Sequence, residues 1–220
     1  DTKVNKLKET MNKNLESMAE GIKSSQDAIL EANSKDIELA KANGLSPALI
    51  DRLLLNAERI DSMVEAIEQI IELPDPIGDV LDTFYHKGGM KIEKVRVPIG
   101  MIAVIYESRP NVTSDVAALC LKAGNGVILR GGKEAINSNI AIYNAMMQGV
   151  NLGGAIQLMR DPDRELVKKL VQSDKVIDLI IPRGGYELSQ TVSKLSTIPV
   201  IKHDKGLCHV YVDKSCDLKK

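Results

Sequence analysis

Apolar residues recur every three or four positions through the first 73 residues, which is the spacing of helices that bury one face. Three such runs occur: Leu7, Met11, Leu15 and Met18; Ala28, Ile29 and Ala32; and Ile60, Val64, Ile67 and Ile71. Because each run forms a single stripe, we expect a helical layer that packs on another part of the chain.

Short polar residues indicate where these helices begin. Asn33 and Ser34 are interpreted as the cap of a short helix that ends at Gly44. The same reasoning predicts helix starts at Ser46, which precedes a proline, and at Asn56.

The pattern changes between residues 78 and 97, where apolar residues are sparse. His86-Lys-Gly-Gly89 is a turn sequence between two polar-rich segments, so a β-hairpin is predicted at 80–97. A hairpin with so little hydrophobic face is typical of an edge element or of an arm that pairs with another subunit. We therefore expect a homo-oligomer that forms through this hairpin.

Beyond residue 98, short apolar runs alternate with helical segments. The run at 99–106 is almost continuously apolar, as expected for a strand covered on both faces. Further strands are predicted at 127–129, 155–159, 176–181, 198–201 and 207–212, and helices at about 114–122, 134–148, from 161 onwards and at 186–195. This alternation predicts an α/β fold with a mostly parallel, Rossmann-type sheet that has helices on both faces. We divide the chain into a helical part (1–77), a hairpin arm (78–97) and a parallel α/β part (98–220).

Composition argues against several classes of function. Lys+Arg 29 against Asp+Glu 30 give a formal net charge of -1, and aromatic residues are only 3%, so neither a basic field nor stacking platforms for nucleic acid are expected. No apolar run approaches the roughly 20 residues that span a bilayer, and no signal peptide is recognisable. The three widely spaced cysteines are interpreted as reduced thiols. We expect a cytoplasmic protein that binds neither nucleic acid nor membrane.

Arginine follows three of the predicted strands. Arg109 comes shortly after the first strand, while Arg130 and Arg183 are each followed by a pair of glycines. Because the carboxyl ends of parallel strands share one edge of the sheet, these turns are expected to lie together. Guanidinium groups and closely approachable backbone amides suit a polyphosphate ligand. Each arginine on its own is more simply explained as a helix cap or a local ion pair, but three arginines on one edge favour an anion site.

No standard nucleotide or metal motif is present. The sequence Gly124-Asn-Gly126 lacks the third glycine of the dinucleotide fingerprint, since Leu129 occupies that position, and it precedes a strand instead of following one. Cys208 and His209 are adjacent on a predicted strand, so their side chains face opposite sides. Cys208 is interpreted as a buried thiol, and no metal is expected.

Four segments together are specific enough to suggest a family. Residues 97–112 (VPIGMIAVIYESRPNV) and 119–134 (LCLKAGNGVILRGGKE) closely resemble γ-glutamyl phosphate reductases, a family of the aldehyde dehydrogenase superfamily. Residues 177–185 (IDLIIPRGG) and 207–213 (LCHVYVD) are similar to the same family in the same order. The resemblance implies an aldehyde-dehydrogenase-like fold and an NADPH-dependent reduction of L-glutamyl 5-phosphate to L-glutamate 5-semialdehyde plus phosphate, in proline biosynthesis.

The resemblance also implies roles for individual residues. The residues that would bind NADP(H) are Arg130, Gly131, Gly132, Lys133, Arg183, Gly184 and Gly185. A cation at Lys133 suits the 2′-phosphate of NADP, where NAD-preferring relatives carry an acid. Arg109, with Ser108 and Asn111, is expected to hold the acyl phosphate or the oxyanion that develops from it.

The catalytic domain of the family is expected beyond Lys220, and with it the nucleophilic cysteine. Cys208 is the weaker alternative within the chain, which alone is therefore expected to be inactive. The resemblance also implies a possible association with glutamate 5-kinase. Two other functions stay open, namely a non-catalytic nucleotide- or anion-binding or assembly module, and a related reductase for another acyl phosphate.

Overall fold

Four helices occupy the first third of the chain in the computed structural model, which describes residues 2–202 and 209–217. They are α1 (Thr2–Ser24), α2 (Gln26–Ala42), α3 (Pro47–Leu53) and α4 (Ala57–Glu72). The predicted helix starts at Ser46 and Asn56 are confirmed, and the Asn56 side chain accepts a hydrogen bond from the Arg59 amide as an N-cap does.

The predicted apolar stripes are mostly buried. Met11, Leu15 and Met18 of α1 lie inside, whereas Leu7 near the start of that helix is exposed. In α4 the side chains of Ile60, Val64 and Ile67 are buried, and that helix packs along α1. The helical layer expected from the spacing is therefore present.

The interpretation of Asn33 as a helix cap is wrong. Asn33 lies in the middle of α2 and is 2% exposed. Its side chain accepts a hydrogen bond from the Leu55 amide and donates to the carbonyl of Leu53 and the hydroxyl of Ser138. A short polar residue was interpreted as a local cap, but its partners are 20 or more residues away along the chain.

The predicted hairpin is confirmed. Strands β1 (Val80–Tyr85) and β2 (Lys91–Val95) pair in antiparallel fashion, and the turn between them is closed by the Gly89 amide, which donates to the carbonyl of His86. Nearly every residue of the two strands is exposed.

A four-stranded parallel sheet forms the centre of the remaining chain. Its strands are β3 (Met101–Tyr106), β4 (Gly126–Arg130), β5 (Ile156–Leu158) and β6 (Leu179–Arg183), in the spatial order β5-β4-β3-β6. Together with the helices described below, this confirms the predicted α/β fold with a parallel sheet.

Two strand boundaries differ from the prediction for local reasons. Strand β3 begins at Met101 instead of residue 99, because the amides of residues 99 and 100 donate to the side-chain oxygen of Asn125. Strand β6 covers 179–183 instead of 176–181, because the amides of residues 176 and 177 close a turn onto the carbonyl of Ser173.

The last two predicted strands are not formed in the described residues. Segment 198–201 contributes only an isolated parallel bridge between Val200 and Ile180. The predicted strand 207–212 is wrong for residues 209–212, which carry no strand and are exposed. Residues 207 and 208 lie outside the described part of the chain.

Helices connect the parallel strands as predicted, with shifted boundaries. They are α5 (Val112–Lys122), α6 (Ile136–Met146), α7 (Arg164–Leu170) and α8 (Tyr186–Leu195). A 3-10 turn at Lys133–Ala135 precedes α6, so the predicted single helix at 134–148 is too long. Helix α7 starts three residues later than expected, because the Asp163 side chain caps it by accepting from the Glu165 amide.

Two hydrophobic clusters cover opposite faces of the sheet. One cluster joins the sheet side chains of Ile102, Val104 and Leu129 to helices α1, α4, α5 and α6. The other joins Ala103 and Ile105 to helices α7 and α8. Successive residues of a strand therefore point into different layers, as the pleat requires.

Candidate functional site

The three arginine-bearing turns lie at one edge of the sheet. In the parallel register Tyr106 of β3 pairs with Arg183 of β6, and Ile105 pairs with Arg130 of β4. The turns that follow these strands therefore emerge side by side at the carboxyl ends, as predicted.

The arginines nevertheless divide between the two faces of the sheet. Arg130 is two residues after Ile128 in β4 and therefore points to the same face of the sheet, where Ile128 packs with α7 and α8. The Arg130 guanidinium donates a hydrogen bond to the carbonyl of Pro162 at 2.9 Å. Arg183 follows the alternation of Ile181, which packs on the opposite face. The side chains of Arg130 and Arg183 therefore lie on different faces of the sheet, although their turns share its carboxyl edge.

A cleft of about 830 Å³ opens on the α5 face of the sheet. Its floor includes Val104 and Ile181, and one wall is an apolar row on α5 that comprises Val112, Val116, Leu119 and Cys120. Ser108, Arg109, Asn111, Arg183, Gly184 and Gly185 line the same cleft. Six of the ten predicted site residues are therefore brought together here.

An adjoining cleft of about 400 Å³ extends the first one towards the helical layer. The two clefts share Arg52, Arg109, Asn111 and Asp115. Arg52 was not among the predicted site residues. Residues 51–53 belong to α3 and carry no local chemical motif, so sequence reasoning gave Arg52 no role.

The cations of these clefts differ in how they are held. Arg59 is bound to the carboxylate of Asp51 at 3.0 Å and to the carbonyl of Leu54 at 2.7 Å. Within residues 2–202 and 209–217, the guanidinium groups of Arg52, Arg109 and Arg183 form neither an ion pair nor a hydrogen bond. Unpaired guanidinium groups in a concave site favour anionic ligands.

One carboxyl group faces these cations from α5. Asp115 accepts a hydrogen bond from the Asn111 side-chain amide at 2.9 Å, and burial raises the pKa of Asp115 above its ordinary value. The amide of Asn111 is therefore occupied within the protein, while Arg109 beside it remains available to a ligand.

Two further carboxylates accept hydrogen bonds from backbone amides at the carboxyl edge of the sheet. The Glu107 side chain accepts a hydrogen bond from the Gly185 amide at the start of α8, at 2.8 Å. The Glu134 side chain accepts from both the amide and the hydroxyl of Ser108, each at 2.8 Å. Ser108 has a φ of 46°, a left-handed backbone conformation that is uncommon for a residue with a side chain. These contacts show that the amides at this edge bind negatively charged oxygen.

The turn after β4 lies outside both clefts. Lys133 is exposed and begins the 3-10 turn. A side chain at Gly131 would collide with the amide of Asn139 and approach the ring of Tyr106, so only glycine fits there. Arg130 is half-buried, and desolvation lowers its pKa from the ordinary value. This turn therefore presents an exposed cation at Lys133 and a half-buried cation at Arg130, and Arg130 is the one that lies on the α7 face.

A buried aspartate fixes the helix that follows this turn. Asp36 of α2 is 1% exposed and accepts hydrogen bonds from the amides and the side chains of both Asn137 and Ser138 at the start of α6. Sequence reasoning missed Asp36, because no local signal distinguishes it from the exposed acids of the same helix.

The cysteines within the described residues offer no reactive thiol at the clefts. Cys120 is 8% exposed, and burial raises its pKa to about 11. Cys216 is exposed near the end of the chain. Cys208, the weaker candidate for a nucleophile, lies outside the described residues.

Neither a metal centre nor a membrane helix is found in the described part of the chain. Across residues 2–202 and 209–217, no three His, Cys, Asp or Glu side chains are grouped closely enough to hold a metal ion. No helix in these same ranges combines the length and the apolar character that crossing a bilayer requires.

The chain is similar in sequence to curated proteins of one kind. No protein-family model matches the chain. A curated γ-glutamyl phosphate reductase from Nautilia profundicola is 50% identical over 214 residues, which are 96% of this chain and 52% of that protein. One from Nitratiruptor sp. is 52% identical over 207 residues, which are 92% of this chain and 50% of that protein. The chain is a relative of the γ-glutamyl phosphate reductases.

Solved structures lead to the same family. The γ-glutamyl phosphate reductase of Thermotoga maritima superposes with a TM-score of 0.88 at 42% identity, and the match covers 96% of this chain and 52% of that one. Betaine aldehyde dehydrogenase from Staphylococcus aureus matches with a TM-score of 0.68 at 17% identity over 89% of this chain and 38% of that one, which shows a shared fold. The chain spans about half the length of the γ-glutamyl phosphate reductases that it matches.

Proposed function

We propose that this chain is the cofactor-binding half of a cytoplasmic enzyme that reduces L-glutamyl 5-phosphate to L-glutamate 5-semialdehyde with NADPH. The observation that carries the proposal is a cleft at the carboxyl edge of the sheet in which the guanidinium groups of Arg109 and Arg183 have no partner among the described residues. The chain is also 50% and 52% identical to two γ-glutamyl phosphate reductases over the matched lengths. Ligands of parallel α/β sheets bind at this edge.

The residues at the edge suit a phosphorylated dinucleotide. The Glu107 carboxylate stands at the Gly185 amide, where helix α8 begins, and shows that a negatively charged oxygen is accepted there. A Cβ at Gly184 would collide with Glu107 and Leu188, so this turn requires glycine. Under this proposal Arg183, Gly184 and Gly185 bind the pyrophosphate, and Arg130, Gly131, Gly132 and Lys133 bind the adenosine ribose and its 2′-phosphate.

The acyl phosphate is assigned to the cleft on the α5 face. When bound, NADPH supplies the hydride that reduces the acyl group. Arg109 has no partner within the described residues, so its guanidinium binds the phosphoryl group or the oxyanion that develops on the carbonyl. Ser108 and Asn111 hold the surrounding loop through Glu134 and Asp115 and line the same cleft.

Titration of the chain with NADPH and NADH tests the cofactor assignment. We expect tighter binding of NADPH, and Lys133→Glu should weaken NADPH binding by about 10- to 100-fold, because it replaces a cation that contacts the 2′-phosphate. NADH binding should change little. Lys87→Glu in the hairpin turn is the matched control. Equal affinities for the two cofactors, or an unchanged Lys133→Glu variant, contradict the assignment.

A second experiment separates the proposed reductase from the two other functions that the sequence left open. A protein that contains this chain together with the remaining half found in its relatives should form NADPH from L-glutamate 5-semialdehyde, NADP and phosphate. Activity on another aldehyde only indicates a different reductase. NADPH binding without activity on any aldehyde indicates a non-catalytic module.

The hairpin is proposed to join copies of the chain. Phe84, Tyr85 and Met90 are each more than half exposed on this arm, although apolar residues of that size are usually covered. Phe84→Asp should reduce the oligomeric state in sedimentation velocity, whereas Lys94→Asp should not. An association with glutamate 5-kinase belongs to the same proposal, and co-sedimentation of the two purified proteins tests it.

A further inference from the structure

We propose that Arg52 binds the anionic group of the substrate that lies farthest from the reacting carbonyl, and so helps to determine substrate length. The identity of that substrate rests on the proposed function. The anion-binding role of Arg52 itself rests on the geometry of the two adjoining clefts.

The position of Arg52 is fixed from both sides. It lies in the last turn of α3 and is followed by Leu53, which is completely buried. The carbonyl of Leu53 accepts a hydrogen bond from the buried Asn33 side chain at 2.9 Å, and the Leu55 amide donates to the same side chain at 2.8 Å. The backbone around Arg52 is therefore held in place, although its side chain is exposed.

Arg52 and Arg109 line both clefts, so they occupy the boundary that joins the two spaces. Among the described residues, neither guanidinium has an ion pair or a hydrogen bond. Arg59, which lines the smaller cleft as well, is already bound to Asp51 and to backbone carbonyls. Arg52 is thus the cation of the helical layer that remains free for a ligand in this part of the structure.

Two cations on one concave surface repel each other until an anion lies between them or contacts both. A short molecule with an acidic group at each end satisfies both guanidinium groups in the charge-assisted geometry that arginine favours. Under the proposed function Arg109 contacts the acyl phosphate, so Arg52 is left for the carboxylate at the other end. A substrate with only one anionic group would leave one arginine unpaired.

Titration of the chain with glutarate, a five-carbon dicarboxylate, tests the proposal by NMR without any need for catalysis. We expect wild-type protein to bind glutarate more tightly than butyrate, which lacks the second carboxylate. Arg52→Ala and Arg109→Ala should each weaken glutarate binding about 10-fold or more. Arg52→Lys should retain part of the affinity, because it keeps the charge but loses the fork of donors. Arg96→Ala on the hairpin is the control.

Parallel NADPH titrations separate this inference from the proposed function. Arg52→Ala should weaken NADPH binding far less than it weakens glutarate binding, because Arg52 lines the same cleft as Arg183 but belongs to α3 and is not among the residues assigned to the cofactor. If NADPH fails to bind while glutarate binding depends on Arg52, the proposed function is wrong and the anion site stands. If wild-type protein does not bind glutarate, or folded Arg52→Ala binds it equally well, the role of Arg52 is wrong.

Discussion

Replacement of Asp36 by alanine should destabilise the fold more than the loss of any surface acid. The carboxylate accepts hydrogen bonds from the Asn137 amide at 3.2 Å, from the Asn137 side chain at 2.7 Å, from the Ser138 amide at 2.7 Å and from the Ser138 hydroxyl at 2.6 Å. The first amides of a helix have no acceptor within that helix. Asp36 therefore caps α6 from a different helix, α2.

The expected magnitude follows from these contacts. Hydrogen bonds to a charged group contribute about 1.5–3 kcal/mol each, and an unsatisfied buried donor costs about 1–3 kcal/mol. The four bonds share one carboxylate and are not additive, so the loss is estimated at about 3–5 kcal/mol. Since a domain is stable by only about 5–15 kcal/mol, this is a large fraction of the total. The melting temperature should fall by roughly 6–20 °C.

Urea unfolding followed by circular dichroism measures the effect. Glu38→Ala is the matched control, because Glu38 is an exposed acid of the same helix, and its stability should remain within about 0.5 kcal/mol of wild type. The free energy of unfolding of Asp36→Asn should lie between those of Asp36→Ala and Glu38→Ala, since asparagine keeps the shape of the side chain but presents an N–H donor to one of the α6 amides. If Asp36→Ala is within about 1 kcal/mol of wild type, the capping argument fails.

Three further outcomes are expected. Gly131→Ala should cost about 1–3 kcal/mol in urea unfolding, because its methyl group would meet the buried Asn139, whereas Gly88→Ala at an open turn should be nearly neutral. Glu107→Gln should tighten the binding of inorganic phosphate at low salt about fivefold, because it removes a negative charge worth about 1 kcal/mol at contact distance in water, and an unchanged affinity would exclude Glu107 from the anion site. Burial raises the pKa of Cys120 to about 11, so its neutral thiol contributes to the free energy of unfolding in full below pH 9, and about 2–3 kcal/mol of that free energy is lost between pH 9 and 11. Cys120→Ala should flatten the dependence of the unfolding free energy on pH in this range.

Local patterns predicted the elements of this fold well where the cause was local. The continuous apolar run before Tyr106 indicated a strand covered on both faces, and β3 is covered in that way. The proline after Ser46 and the side chain of Asn56 indicated helix starts, because their effects act within one turn.

The site was only partly predictable, because side-chain direction depends on strand register and on tertiary contacts. The sequence placed Arg130 and Arg183 at the ends of strands, but which face each one points to depends on where the strand pleat begins and ends. Since β6 extends to Arg183, two residues past its predicted end, the alternation from Ile181 continues and places Arg183 in the α5-side cleft. Arg52 has no local pattern that identifies it, because its place in the cleft depends on how α3 and α5 come together in the fold.

Three buried side chains, Tyr106, Thr113 and Asn139, form a hydrogen-bonded series that links the end of β3 to α5 and α6. The Thr113 hydroxyl donates to the Asn139 side-chain oxygen at 3.1 Å and lies 2.7 Å from the Tyr106 hydroxyl, which must then be the donor to Thr113. All three residues are at most 1% exposed. Burial is also the main reason that the pKa of Tyr106 lies above its ordinary value.

Replacing Thr113, which lies between Tyr106 and Asn139 in this hydrogen-bonded series, should therefore destabilise the fold more than replacing Tyr106 at its end. Tyr106→Phe removes one hydrogen bond and leaves Thr113 paired with Asn139, so it should cost about 0.5–1.5 kcal/mol. Thr113→Val leaves both the Tyr106 hydroxyl and the Asn139 oxygen without a partner in a dry site, and should cost about 2–5 kcal/mol. The two variants are compared by urea unfolding at the same pH. An equal or reversed order would mean that the hydroxyls are not linked in this direction, because only a middle residue strands two partners at once.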